Sequence, residues 1–212
     1  MEETFIVTSP QNANIVMAVT PGHFTTNSSH VSHYLDLRTL KYSAVAAADV
    51  ARELAAPYIS CEEIDTIVCM EGTEIIGAYL AEELMQEGPL VINSDEDIYV
   101  VRPMSNLNGQ FVFQNSERAV IKNKNVILLV SSVSSGKTVY RALDFLSYYG
   151  GNLIGISALF AAVPNIGEHE IHSVFTDEDI PNYRFYRAGD CALCEEGRKL
   201  DGIANYGGYT EL

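Results

Sequence analysis

Basic residues are scarce in this sequence: 13 Lys and Arg stand against 28 Asp and Glu, a formal net charge of −15. A chain with that field repels nucleic acid and anionic membrane, so neither is expected as a partner. An anionic ligand must be held locally, by backbone N–H groups and a few cations. Long apolar runs are missing too. The longest, 126–130 and 154–163, reach about half of the ~20 residues of a membrane span. The start, MEETFIVTSP, lacks the basic flank and long apolar stretch of a signal peptide. With no such peptide, the four cysteines point to a reducing cytoplasm. Internal repeats, low-complexity tracts and linkers are also absent, so the 212 residues read as a single domain around one sizeable core.

What is present alternates between strand and helix. Residues 4–8 and 14–20 are β-like, and 21–33 is a polar stretch rich in Thr, Ser and His. Ser43 is a plausible N-cap for a helix whose Ala44, Ala47, Ala48, Ala51 and Ala55 recur at helical spacing, and Pro57 stops it. TIVCM (66–70) predicts a short buried strand and Glu71-Gly72-Thr73 a turn. The next helix turns Ile76, Leu80 and Leu84 inward and ends at Gly88-Pro89. Residues 90–93 and 97–102 read as extended, 103–110 (PMSNLNGQ) as a flexible loop, and 110–114 as a strand. VILLV (126–130) is the continuous apolar run of a central parallel strand. A turn over 131–137 leads to a helix with Val139, Ala142, Leu143 and Leu146 on one face. Gly150-Gly151 closes that helix, and 152–160 is another buried strand. Such units predict a parallel sheet with crossover helices. The last fifty residues read as an irregular cap with short strands.

The segment VILLV-SSVSSGKT-VYRALDFL carries the chemistry. A strand, a small hydroxyl-rich turn and a helix N-terminus together present unpaired N–H groups and a partial positive charge to a phosphate. Ser134, Ser135 and Thr138 add hydroxyls, Gly136 permits close approach, and Lys137 adds a cation. A plain strand-to-helix turn that binds nothing is the competing reading. The motif of P-loop nucleotide hydrolases fits only at Gly136-Lys137-Thr138, because Ser131 stands where their first glycine belongs.

On these residues the chain resembles the type I phosphoribosyltransferases, and most closely orotate phosphoribosyltransferase. That family follows its apolar strand with two acidic residues, two variable apolar ones, two Thr or Ser, a Gly, any residue, and Ser or Thr. Aligned without gaps on Gly136, Ser134 and Ser135 supply the hydroxyl pair and Thr138 the end. MEGTEIIGAYLAEEL resembles the loop and helix that hold pyrophosphate, with Glu71, Gly72 and Thr73 in the loop. HVSHYLDLR (30–38) resembles the segment near the base site, and DCALCEEG (190–197) a tail pattern of orotate-type members. The resemblance implies an α/β fold of that type, a central parallel sheet flanked by helices. The core would span about 60–165, under a small hood from 1–45 and 166–212. It also implies a homodimer, and magnesium as cofactor if the protein is active.

Two departures bear on activity. The acidic pair, which in the family holds the ribose hydroxyls of phosphoribosyl pyrophosphate, falls on Val130 and Ser131, and nothing from 118 to 143 is acidic. The catalytic loop keeps Arg102, the expected catalytic residue, and Gly109, but its two lysines and histidine are gone. One lost donor of that kind typically costs ~10²–10³ in rate. The resemblance then implies a binder of a phosphorylated ribose or nucleotide with catalysis weakened or lost. The alternatives are an active pyrimidine-type phosphoribosyltransferase of pyrimidine biosynthesis, a pentosyl transfer enzyme, and the P-loop hydrolase.

Smaller clusters are weighed against plain packing. Cys191 and Cys194 have the spacing of half a zinc site, with His169, His172, Cys61 or Cys69 as the reserves. A pair of reduced thiols is the preferred reading, and no metal ligand is assigned. Glu168, Glu170 and His172 read as one solvated strand face. For His23, His30 and His33 a base-side contact is conceivable, and the tail tyrosines Tyr183, Tyr186, Tyr206 and Tyr209 read as cap packing.

Overall fold

The computed structural model describes residues 3–27, 29–60, 62–86, 92–93, 97–106, 110–187 and 189–212. Cys61, the helix stop at Gly88-Pro89, the first half of the extended piece at 90–93 and the loop positions Leu107, Asn108 and Gly109 lie outside them. Chain order is β1 (Phe5–Thr8), β2 (Val16–Thr25), β3 (Ser29–Asp36), α1 (Arg38–Tyr42), α2 (Ala44–Ala55), β4 (Thr66–Cys69) and α3 (Glu74–Met85). Then come β5 (Tyr99–Val101), β6 (Met104–Ser105), β7 (Phe111–Val112), β8 (Asn125–Val133), α4 (Lys137–Tyr149) and β9 (Asn152–Ala161). The chain closes with β10 (Asn165–Ile166), β11 (His169–Thr176), β12 (Phe185–Arg187), α5 (Ala192–Glu195), β13 (Gly202–Asn205) and β14 (Gly208–Glu211).

The central sheet has the order β10-β11-β9-β8-β4-β5, parallel throughout except for the antiparallel edge β10. β8 alternates as a doubly covered strand must. Ile127 and Leu129 join the cluster that holds α2 and α3, while Val126, Leu128 and Val130 join the one that holds α4. α2 starts at Ser43, whose Oγ accepts from the Ala46 amide. It buries Ala47, Val50, Ala51, Leu54 and Ala55, the small-residue face that lets α3 come close. α3 buries Ile76, Leu80 and Leu84 as its spacing predicts. α4 buries Val139, Ala142 and Leu146 with Phe145, and Gly150 caps it at φ 75°.

A second sheet, β12-β3-β2-β13-β14 with β1 on β2, forms the hood from both chain ends. The tail strand β13 runs parallel to β2 through Gly202↔Phe24 and Ile203↔Thr25. Among the described residues no helix is long and apolar enough to cross a membrane.

Three details differ from the sequence reading. The polar stretch at 21–33 is mostly strand, a β2–β3 hairpin, because its buried polar side chains have partners: His23, Ser29 and His33 are all bonded inside. β8 continues to Val133, three residues into the expected turn, because Ser132 and Val133 still pair with Phe160 and Ala161 of β9. Within the expected loop, Met104 and Ser105 pair with Val112 and Phe111, and Asn106 exchanges bonds with Gln110. The central sheet also extends past 165 through β11.

A Cβ on Gly77 of α3 would lie 2.3 Å from Cys69 Sγ and 3.1 Å from Val100 Cγ1. Overpacking of this kind costs typically ~1–3 kcal/mol, against up to about 1 kcal/mol that alanine gains over glycine in a helix. Gly77→Ala is therefore expected to lower the urea midpoint by up to about 2 kcal/mol of stability. A midpoint at or above wild type contradicts the close packing of α3 on β4.

Candidate functional site

The site lies where β4, β5 and β8 end. β8 ends at Val133, just past Ser131 and Ser132, and the turn Ser134-Ser135-Gly136 delivers the chain into α4. Gly136 is the N-cap at φ 74°, and a Cβ there would meet Ile166 Cδ1 at 2.3 Å, so only glycine fits. The first bond of the helix runs from the Tyr140 amide to the Gly136 carbonyl, at 2.8 Å. The amides of Lys137, Thr138 and Val139 therefore have no acceptor within the helix. Ser135 Oγ takes one of them, Lys137 N–H, at a long 3.5 Å.

Residues 132–139 line a cleft of about 150 Å³ together with Thr26, Ser29, Glu71 and Asn205. A neighbouring cleft of about 130 Å³ is bounded by Ser131, Ser132, Ser134, His33, Tyr34 and Tyr183. A third, wider one of about 700 Å³ brings Glu71, Gly72, Arg102, Thr138 and Tyr206 together. Glu71 borders all three.

Glu71 and Gly72 stand at φ 59° and 83°, and the first of these is costly for a residue with a side chain. Thr73 fixes this turn rather than facing a ligand. It is fully buried, and its hydroxyl reaches the Met70 and Leu129 carbonyls at 2.9 and 3.2 Å. One carboxylate oxygen of Glu71 is buried without a hydrogen-bond partner. Burial pushes the Glu71 carboxyl above the usual carboxylate range; the Ser132 amide, the Lys41 ammonium and the Ser131 amide pull part of the way back. Lys41, fully buried in α1, donates to the Glu71 carbonyl at 3.2 Å and to the Tyr206 carbonyl at 2.5 Å. Burial lowers its pKa, while Glu71, Asp36 and Glu74 resist. Nothing in the sequence singled out Lys41. It sits in a five-residue helix, and what makes it central is contact with residues thirty and 165 positions away.

Arg102, just past β5, pairs with Glu74 Oε1 at 3.1 Å, and both side chains are partly exposed. Such a pair is worth about 0–1 kcal/mol, so an anion in the cleft can compete for the guanidinium. Val130 faces the α4 side of the sheet, fully buried, and lines none of these clefts. The side chains bordering the cleft at the end of β8 are Ser131 and Ser132. Burial pushes the Tyr183 hydroxyl up to about 12, with Ser134 partly offsetting this. His33 stacks on Tyr183 with ring centroids 6.0 Å apart. Tyr209 packs on Phe24 and Tyr34, as cap packing predicts. Glu168, Glu170 and His172 lie along the outer part of the sheet, away from the clefts.

No protein-family model and no curated protein matches the sequence. Solved structures do. The orotate phosphoribosyltransferase of Mycobacterium tuberculosis H37Rv, in complex with Fe(III) dicitrate, is similar over 78% of this chain and 93% of that one, at 15% identity and TM-score 0.53. UMP synthase of Leishmania donovani is similar over 76% of this chain at 20% identity and TM-score 0.54; this chain spans 34% of it. A phosphoribosyltransferase from Corynebacterium diphtheriae matches 75% of this chain and 90% of its own, at 14% identity and TM-score 0.51. These likenesses show the type I phosphoribosyltransferase fold.

A carboxyl whose folded pKa is raised stabilises the fold below its unfolded pKa and loses that contribution as pH rises through the folded value. Glu71 carries such a shift above 4.5. Glu71→Gln should thus unfold at higher urea than wild type at pH 7, with the difference shrinking as pH falls toward 4.5. A difference that is constant with pH in paired denaturation curves counts against a buried, charge-disfavouring Glu71.

Proposed function

We propose, starting from the type I phosphoribosyltransferase fold, that this chain binds a phosphorylated ribose or a nucleotide at the N-terminus of α4, with transfer chemistry weakened or lost. The observation that supports this is the shared lining of one cleft. Ser134, Ser135, Gly136, Lys137 and Thr138 border it beside helix amides that have no acceptor within α4. A phosphate monoester there accepts from amides and hydroxyls, and the helix dipole favours its charge. The sugar then extends along Ser131 and Ser132 toward Tyr183 and His33, where a base has aromatic surface to lie against.

The chemistry of transfer lacks its usual support. The positions aligned with the ribose-holding carboxylates carry a valine turned into the core and a serine. A neutral hydroxyl replaces only part of what a carboxylate does for two sugar hydroxyls. Of the loop cations expected around departing pyrophosphate, Arg102 alone remains. Magnesium takes oxygen ligands, preferring carboxylates and substrate phosphates. Val130 and Ser131 do not fit such an ion. A homodimer of the orotate type belongs to the same proposal.

A second reading has one observation in its favour. Glu71 borders all three clefts, and in this reading its carboxylate accepts from a ribose hydroxyl in an active pyrimidine-type phosphoribosyltransferase. Incubation with orotate, magnesium and phosphoribosyl pyrophosphate separates the two. Steady nucleotide formation, lost in Arg102→Ala, favours the second; no product favours the first.

Calorimetric titration with ribose 5-phosphate and nucleoside monophosphates tests the binding itself. Ser135→Asp places a carboxylate where the phosphate sits, yet suits a helix N-terminus. It is expected to weaken binding by roughly tenfold or more, about 1.4 kcal/mol, while the melting temperature holds or rises. Unchanged affinity in this variant places the phosphate elsewhere.

A further inference from the structure

The tail and the hood hairpin meet at four side chains that the phosphate site does not use. His23 on β2, His30 on β3, and Cys191 and Cys194 at the start of α5 bring one ligand atom each within 4.8 Å of one another. His23 Nε2 lies 3.0 Å from His30 Nδ1, 3.4 Å from Cys191 Sγ and 3.7 Å from Cys194 Sγ, and Cys194 Sγ lies 3.4 Å from His30 Nδ1. Around a tetrahedral zinc with ordinary bond lengths, the nitrogen–nitrogen edge is about 3.3 Å and a nitrogen–sulfur edge about 3.6 Å. The observed edges scatter around those lengths.

Hydrogen bonding alone does not account for the arrangement. His23 Nδ1 is 2.9 Å from the Arg198 carbonyl, which only accepts, so Nδ1 carries the proton. In the neutral ring Nε2 is then a single lone pair, yet it faces an imidazole nitrogen and two sulfurs. It can accept well from one of them. A cation at the centre engages all four lone pairs at once. The Nδ1–H to carbonyl bond is also the supporting contact that metal-bound imidazoles use to fix their tautomer. A further clamp holds His23: its amide donates to Asp201 Oδ2 at 2.7 Å, and the Asp201 amide donates to the His23 carbonyl at 2.7 Å.

Local folding presents each ligand. On β2, two residues separate Pro21 and Phe24 where β3 has one between their partners, and this bulge carries His23. Cys191 caps the short α5, the Gly197 amide bonds the Cys194 carbonyl at 3.0 Å, and Gly197 turns the chain back at φ 75°. The C-x-x-C spacing thus sits on a tight turn with both sulfurs on one side.

We propose that His23, His30, Cys191 and Cys194 bind one structural zinc ion, which fastens the C-terminal tail to the β2–β3 hairpin. Binding releases the two thiol protons to solvent, so two thiolates balance the charge of the ion. All four positions are filled by protein, which makes the site structural rather than catalytic. Soft thiolates with imidazoles select zinc over magnesium or calcium. The ion lies beside the segment that leads into β13, whose Ala204 and Asn205, with Tyr206, border the clefts. The assignment stands on the four side chains and is independent of what the clefts bind.

The test uses the full chain purified under reducing conditions, without a polyhistidine tag. Elemental analysis should find close to one zinc per chain, and a chelator that strips it should lower the melting temperature. Cobalt exchanged into the site should give the intense visible bands of a tetrahedral ion and a near-ultraviolet thiolate charge-transfer band. Cys194→Ser and His30→Ala should each reduce the metal content and weaken those bands, whereas Cys69→Ser should leave both unchanged. Cys194 and His30 are less buried than Cys191 and His23, so the result does not depend on a protein that fails to fold. Absence of zinc after supplementation, a weak octahedral cobalt spectrum, or a Cys191–Cys194 disulfide in the native protein would each overturn the proposal.

Discussion

A strand covered on both faces excludes polar side chains that lack partners, and β8 is apolar through its covered middle. Val126, Ile127, Leu128, Leu129 and Val130 are all fully buried, between α2 and α3 on one side and α4 on the other. Each such side chain contributes about 1.5–3 kcal/mol of transfer free energy, so the strand is fixed in position and register. Its hydroxyls begin only at Ser131, where the covering layers part. β4 ends at the same level with Glu71 following it, and β5 with Arg102. In open α/β sheets ligands collect at the carboxyl ends of the strands. Here the buried run sets where that edge falls, and the turn through Gly136 aims α4 at it.

An acidic chain that holds an anion must do so with groups that do not sense its net charge. Helix amides are such groups, since their partial charges are fixed and act at contact distance. The buried Lys41 borders none of the clefts and acts on the Glu71 turn instead. Its ammonium is costly to desolvate, and it is held by the Glu71 and Tyr206 carbonyls rather than by a carboxylate oxygen in full contact. Burial disfavours the charged form of Glu71, which stands at a strained backbone position bordering the clefts. Strain and an unpartnered carboxylate in one residue are features that folding alone does not select. They support counting the turn after β4 with the proposed site.

Much of this was readable from residue patterns, and the misses have physical causes. VILLV and the glycine stops of α4 fix the middle of the fold because period and burial agree there. The turn into α4 was legible as a turn because small hydroxyl residues and a glycine precede an amphipathic helix. The gapless alignment on Gly136 put Val130 at a sugar-binding position, but strand alternation turns it into the core; Ser131 and Ser132 reach the cleft instead. β2 and β3 were obscured because their inward residues include His23, Ser29 and His33, whose burial depends on partners distant in sequence. Lys41 was invisible for the same reason. For Cys191 and Cys194 the sequence favours a pair of reduced thiols, with His169, His172, Cys61 or Cys69 as reserve ligands, whereas the side chains grouped with them are His23 and His30. His23 and His30 reach them only because β13 returns alongside β2.

That return of the tail raises a question of stability that hydrophobic burial does not answer. Beyond β11, which is held in the central sheet, β13 pairs with β2 through two residues and β12 with β3 through three, little ladder for the rest of the tail. Short strands of this kind are marginal unless something else closes the loop. The entropy of closure grows only slowly with loop length, so one strong crosslink near residue 191 does for the tail what many weak contacts cannot. Lys41 supplies a second tie, at Tyr206, directly over Glu71. Between these two anchors lie Ala204 and Asn205, the tail residues that border the phosphate cleft. A roof pinned at both ends over a preformed floor gives a ligand little to order on arrival, and that is the condition under which few contacts suffice for binding.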